Sequence, residues 1–246
     1  MSLLKVENAS FARGKRVLFE GLNLELERGE ILAILGQNGV GKTTFLKCLM
    51  NFLPLKTGRA LLNGRDIKSF SIKELFSIIS YVPQAKNHGF GLSVLDMVIL
   101  GLNNEIKSTP KKEHILKAEE TLKGLNLEHL KDRACDSLSG GELQMVISAR
   151  ALVSGPSLII LDEPESNLDF KNQLLILENL ERLKALKKGI IFNTHYPQNA
   201  KKLADKILIL EKNAHVYGSN KLLNKIQLAK SYEVKPSFFD YLAEFE

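Results

Sequence analysis

The stretch E-I-L-A-I-L-G-Q-N-G-V-G-K-T, Glu30 to Thr43, decides the fold. Its first half is a continuous apolar run ending in glycine, the pattern of a strand covered on both faces. Its second half, Gly36 to Thr43, fits G-x-x-x-x-G-K-[ST] and is followed by the helix-like T-F-L-K-C-L-M, the context a phosphate-cradling loop requires. Gly36, Gly39 and Gly41, with Gln37, Asn38 and Val40 between them, let successive backbone N–H groups curl around phosphates. Lys42 adds a charge near the β and γ phosphates, Thr43 offers a hydroxyl to Mg²⁺, and Thr44 opens the helix behind them.

Two further apolar runs share the character of the first. S-L-I-I-L-D around Ile160 and G-I-I-F-N-T-H around Ile191 each end in polar residues, as parallel strands with chemistry at their carboxyl ends do. Upstream, L-N-L-E-L-E alternates Leu22, Leu24 and Leu26 with polar residues, the period of a half-buried strand. K-I-L-I-L-E and A-H-V-Y-G, joined by Lys212 and Asn213, read as a hairpin. Between Gln84 and Pro156 the pattern turns helical, with Ile115, Ala118, Leu122 and Leu125 at helix spacing and a helical run from Leu143 to Val153. The expected organisation is an α/β domain over residues 1–220, its core formed by 1–85 and 156–220 and a helical lobe inserted over 86–155. Residues 221–246 form an extension that carries no readable motif.

The chain has 246 residues, 44% hydrophobic and 25% charged, enough for a substantial core. A formal charge of +6 permits acidic partners, but the lysines are scattered rather than gathered, which reads as a solvated surface. No nucleic acid is expected. Cys48 and Cys135 stand far apart without metal-ligand spacing, which predicts no disulfide and a reducing, cytosolic setting. The start, M-S-L-L-K-V-E-N-A-S, lacks a basic head and apolar run, so export is not expected. The longest apolar stretches, such as the one around Leu95, fall below the roughly 20 residues that span a bilayer.

L-I-I-L-D-E places Asp162 and Glu163 where a buried strand emerges. Asp162 suits Mg²⁺ coordination, direct or through water, and Glu163 suits polarising a water for attack on a γ phosphate. L-S-G-G-E, Leu138 to Glu142, opens a helix with Ser139 as N-cap and Glu142 three residues on, a capping box. Capping does not call for Gly140 and Gly141, since glycine disfavours helix. They suggest that something approaches the backbone closely.

The phosphate loop, L-S-G-G-E and D-E-P-E-S-N-L-D together resemble the nucleotide-binding subunits of ABC transporters, and the resemblance extends to about Gly218. It implies a P-loop NTPase core of RecA-like type with N-terminal antiparallel strands, ATP and Mg²⁺ as cofactors, and a head-to-tail dimer with a second copy of the chain. Two ATP molecules would lie between the copies, each held by one phosphate loop and the partner's L-S-G-G. Gly140 and Gly141 would then let a γ phosphate reach bare N–H groups, with the Ser139 hydroxyl turned to it instead of serving as a cap. A helix N-terminus alone favours an anion by only about 0.3–2 kcal/mol, so such a site needs both halves and the metal.

The resemblance also assigns the smaller motifs. Gln84, in Y-V-P-Q, matches the glutamine that contacts Mg²⁺ and the attacking water and relays nucleotide state to a membrane partner. His195, in N-T-H, matches the switch histidine that reaches the γ phosphate, and Asp169, in S-N-L-D, the loop that bridges two subunits. Hydrolysis is then expected by in-line water attack, with Glu163 as base and His195, Lys42, Mg²⁺ and the partner's Ser139 and Gly141 stabilising the transferred phosphoryl.

Three positions depart from the family pattern. Where an aromatic residue usually stacks on adenine, the chain offers Phe11 or Arg13, and the spacing before Gly14 points to Arg13, whose guanidinium can also stack. Glu142 replaces the commoner glutamine, a variant associated with metal-chelate importers. Glu165 replaces threonine, close enough to Glu163 to influence its protonation.

Length and the segment F-G-L-S-V-L-D-M-V-I-L-G resemble ATPases of iron-siderophore, haem and vitamin B12 importers. The partners so implied are two separate permease subunits and, indirectly, a solute-binding protein, with the ATPase at the cytoplasmic face of the membrane. The competing expectation is a soluble single-cassette ATPase of iron-sulfur cluster assembly or another non-transport process.

Overall fold

The computed structural model describes residues 2–83, 91–166 and 168–245. Strands β1 (Leu4–Arg13) and β2 (Arg16–Leu26) pair antiparallel, and β3 (Ile31–Leu35) follows and leads through the phosphate loop into α1 (Lys42–Leu49). Strands β4 (Thr57–Leu62) and β5 (Arg65–Asp66) complete a four-stranded sheet of order β2-β1-β4-β5. Then come α2 (Ile72–Ile78), β6 (Ile79–Val82), α3 (Val94–Ile99), α4 (Lys112–Gly124), α5 (Gly140–Leu152) and β7 (Leu158–Asp162). The chain closes with α6 (Phe170–Ala185), β8 (Gly189–Asn193), α7 (Pro197–Leu203), β9 (Lys206–Glu211), β10 (Ala214–Ser219) and α8 (Lys225–Tyr232).

The second sheet runs β10-β9-β3-β8-β7-β6, parallel except for β10, which folds back on β9 as the expected hairpin. All five residues of β3 are buried, and alternate ones serve different cores. Ile31, Ala33 and Leu35 pack with α3 to α6, whereas Leu32 and Ile34 pack with α1 and the inner face of the first sheet. That double coverage is why the run is apolar without alternation. In β2 only Leu22, Leu24 and Leu26 turn inward along L-N-L-E-L-E, as the alternation predicts.

Helices α3, α4 and α5 all lie in the crossover between neighbouring strands β6 and β7. The buried stripe of α4 differs from the expected one. Its inward residues are His114, Ala118 and Leu122, while Ile115 is 37% exposed and Leu125 lies past the helix end. The His114 imidazole Nδ1 accepts the Lys111 N–H at 2.9 Å, so a polar ring occupies the core-facing position of the first turn because it caps that turn. Both cysteines are free and buried, and burial pushes the Cys48 thiol up to about 12.

The C-terminal segment is part of the packed body. Leu228, Phe239 and Leu242 are buried in the core that holds the α5 and α6 side chains. No helix among the described residues is long and apolar enough to cross a membrane.

Candidate functional site

The phosphate loop is bound at both ends. Gly36 has φ 138°, and a Cβ there would strike the carbonyl oxygen of Leu210 in β9, so no other residue fits. Its N–H donates to the Tyr232 hydroxyl at 3.2 Å, and the Gln37 amide donates to the Ser231 carbonyl at 3.3 Å, which ties the start of the loop to the end of α8. At the far side of the loop Arg16 donates to the Gly39 carbonyl at 2.9 Å. Lys42 is 6% exposed and folds back to donate to the Gly36 carbonyl at 2.8 Å. Burial holds its pKa below the ordinary lysine value, against the opposing pull of Glu163 and Asp162.

Parallel pairing brings the ends of β3, β7 and β8 together, and four predicted residues, Thr43, Asp162, Glu163 and His195, meet there. Thr43 donates to Asp162 Oδ1 at 3.0 Å. The same carboxylate accepts from the Asn193 amide at 2.6 Å and, on Oδ2, from the Tyr81 phenol at 3.0 Å. Asn193, fully buried and in register with Asp162, also accepts the Glu163 N–H at 2.6 Å, so one side-chain amide holds both acidic residues. Glu163 adopts φ 51°, a conformation that costs a non-glycine residue roughly 1–2 kcal/mol, and it aims the carboxylate toward the loop. Oε1 lies 2.7 Å from His195 Nε2, and Oε2 accepts from Ser166 at 3.1 Å.

A cavity of about 370 Å³ opens over these groups, lined among others by Arg13, Arg16, Asn38, Lys42, Thr44 and Glu163. Arg13 stands exposed on this wall, whereas the Phe11 ring stacks on Phe19 with centroids 6.1 Å apart. Glu165, by contrast, is 1% exposed beneath the turn, bonded to the Thr194 hydroxyl, and burial raises its pKa above the usual carboxylate range.

The L-S-G-G-E segment is separate from this cavity within one chain. The Ser139 hydroxyl accepts the Glu142 N–H at 3.3 Å and Glu142 accepts the Ser139 N–H at 2.8 Å, a complete capping box. The expectation that the Ser139 hydroxyl turns to a γ phosphate concerns the nucleotide-bound pair of copies; in the single chain that hydroxyl is the cap. Its hydrogen stays free for donation, because capping uses only an oxygen lone pair. Arg133 lies 3.4 Å from the other Glu142 oxygen, and the backbone hydrogen bond from Ser139 keeps the Glu142 carboxyl below its ordinary pKa.

The two glycines part company. A Cβ on Gly141 would run into the Asn172 side chain of α6, an internal reason for glycine, whereas Gly140 is exposed with nothing within 4 Å. Asp169 caps α6 by accepting the Asn172 N–H at 2.8 Å. Gln84 and Asn167 lie outside the described residues.

Sequence reasoning missed Tyr81, Asn193, Arg16 and Tyr232. Asn193 had a signal, being the polar end of an otherwise apolar strand. The others had none, because their partners lie 23 to 196 residues away.

A sequence model of the ABC transporter family matches residues 19–166. An iron chelatin transport ATP-binding protein of Helicobacter pylori is 35% identical over 213 residues, 85% of this chain and 84% of that protein. A molybdate import ATP-binding protein of Haemophilus influenzae is 37% identical over 222 residues, covering 89% and 83%. Among solved structures, an inward-facing metal-chelate type ABC transporter superposes with a TM-score of 0.85 at 34% identity, covering 94% of this chain and 89% of the other.

Proposed function

The chain belongs to the ABC transporter family as an ATP-binding, ATP-hydrolysing component, and on that premise we propose that it powers import of a metal chelate through separate permease subunits. The observation that carries the enzymatic part is that Thr43 and Glu163 line one cavity beside the phosphate loop, with Asp162 bonded to Thr43 and His195 to Glu163. The cargo reading is supported by the iron chelatin and metal-chelate relatives, with ferric siderophore, ferric citrate, haem and cobalamin as candidates.

The residues fit ATP with Mg²⁺. No cluster of three His, Cys, Asp or Glu side chains exists among the described residues, which suits Mg²⁺, since that ion takes one or two protein oxygens and completes its shell with phosphates and water. Thr43 and Asp162 would hold it, with Gln84 as a further ligand. When bound, it neutralises charge building on the phosphate oxygens. Lys42 exchanges its loop carbonyls for the phosphates, and the loop N–H groups that follow the anchored Gly36, through Thr44, cradle them. Glu163 turns from Ser166 to a water in line with the γ phosphorus and accepts its proton. His195 stays beside Glu163, fixes its orientation and reaches the γ phosphate to stabilise the transferred phosphoryl. Arg13 stacks on the base.

In this reading a second copy supplies Ser139, Gly140 and Gly141 to the γ phosphate, and Asp169 lies where the copies meet. The groove between Tyr81, Pro83, Gly101 and Arg150 receives the permease, placing the protein at the cytoplasmic face of the membrane. A solute-binding protein delivers cargo from the other side.

The experiment is affinity capture of the tagged Glu163→Gln protein from detergent-solubilised membranes with MgATP, then uptake of labelled chelates by vesicles holding the same assembly prepared with the unaltered protein. Co-purification of a polytopic permease with ATP-dependent chelate uptake is expected. Uptake of molybdate alone would replace the cargo. Recovery of iron-sulfur assembly proteins without a permease would overturn transport and leave the ATPase chemistry intact.

A further inference from the structure

Glu165 is the departure that the proposed chemistry does not use. Its surroundings connect three parts of the site. Its Oε1 accepts from the Thr194 hydroxyl, and that hydroxyl oxygen accepts the Tyr196 N–H at 2.9 Å, so the two residues flanking the His195 peptide units are held by one side-chain contact. Thr194 is itself anchored to the sheet, donating its N–H to the Ile34 carbonyl of β3 at 3.1 Å. The Glu165 carbonyl, in turn, accepts from the Gln173 amide of α6 at 3.5 Å, and that amide also donates to the Leu168 carbonyl at 3.1 Å. Glu163 and Ser166 close the turn on either side through a Ser166 N–H to Glu163 carbonyl bond of 3.1 Å.

Glu165 Oε2 and the Asn199 Nδ2 beside it are both buried, and the Asn199 side chain also interacts with the Glu165 carboxyl. Taking a carboxyl out of water costs free energy, so a plain packing role would be served better by an apolar residue. Burial favours the neutral form, which an amide can imitate.

We infer that Glu165 is a positioning residue that latches the turn carrying Glu163 to the strand end carrying His195, so that base and histidine approach the γ phosphate as one unit. Thr194 is the other half of the latch. This rests on the catalytic reading of Glu163 and His195 given above.

The test pairs a spectroscopic readout with kinetics on the full chain. Glu165→Ala, Glu165→Gln, Thr194→Val and the Glu165→Ala/Thr194→Val double variant are compared. The imidazole resonance of His195, assigned by its loss in His195→Gln, is followed by NMR without nucleotide. Glu165→Ala is expected to shift that resonance and to lower kcat for ATP by on the order of ten- to hundredfold, as misaligned catalytic groups do, with nucleotide affinity changed less than about twofold. Thr194→Val reproduces this, the double variant adds nothing further, and Glu165→Gln restores both readouts. An unmoved His195 resonance in Glu165→Ala and Thr194→Val, or additive losses in the double variant, overturns the latch. Thr194→Val is nearly isosteric and keeps the test open should Glu165→Ala fail to fold. Full hydrolysis by His195→Gln would break the catalytic reading instead, and the resonance shift would then still report whether the latch exists.

Discussion

The phosphate loop and the L-S-G-G-E segment both place a helix N-terminus where an anion can bind, yet they are finished to different degrees. Around the loop the proposed reacting side chains are already engaged: Lys42 on carbonyls, Thr43 and Asn193 on Asp162, His195 and Ser166 on Glu163. Around L-S-G-G-E the capping box satisfies the first turn, Gly141 is explained by Asn172, and Gly140 faces open space. On the proposed reading, the first region is a preorganised half-site whose groups would swap internal partners for substrate. The second is a surface whose one unexplained residue acquires a reason only when another molecule covers it. Preorganisation of this kind lowers the reorganisation needed at the moment of reaction.

The strongest way to break that contrast is at Glu163. Glu163→Gln should lower kcat by about 10²–10⁴-fold, the usual cost of losing a general base, while fluorescent-nucleotide titration shows ATP still bound. Rapid phosphate release by this variant would remove the loop side's claim to the chemistry.

Gly140→Val sharpens the other side. A Cβ at Gly140 meets nothing within 4 Å and the position is exposed, so the melting temperature should stay close to that of the unaltered protein. ATP-dependent dimerisation, followed by light scattering in the Glu163→Gln background, should be lost, and hydrolysis in the otherwise native chain should fall at least about tenfold if one phosphate contact is removed. Gly141→Ala should behave in the opposite sense and destabilise the monomer through Asn172.

Asn193→Ala tests whether the loop side is held by the amide clamp. It strands the buried Glu163 N–H and takes a donor from Asp162. Urea denaturation should show a loss of about 1–3 kcal/mol, with kcat reduced and ATP affinity little changed.

The smallest effect is expected at Tyr232→Phe. It deletes the hydroxyl that accepts the Gly36 N–H, a bond worth about 0.5–1.5 kcal/mol. Calorimetric titration should show nucleotide affinity weakened by about two- to tenfold, the equivalent of that energy. An unchanged affinity would mean that α8 only covers the loop.

Legibility followed the range of the interactions. Continuous apolar runs announced β3, β7 and β8 because burial on both faces is written into each residue of a strand, and the loop glycines announced themselves because Gly36 has backbone and space that only glycine fits. The stripe of α4 was misread at Ile115 because His114, polar by type, is buried through a capping bond that periodicity does not register. The cap at Ser139 was legible because a capping box is a local pattern of four residues. Glu165 was visible as an anomaly without an explanation, since Thr194 and Asn199 are distant in sequence.

By itself, then, the order of residues determined the α/β core, the phosphate loop and the acidic strand end, because each depends on contacts within one element or on backbone freedom at one residue. Only the tertiary structure decided that Asn193 clamps both acids, that Arg13 rather than Phe11 faces the cavity, and that the C-terminal helix grips the loop at Gly36. Those outcomes come from strand register and from packing between segments far apart in the chain, and neither is encoded in any local stretch.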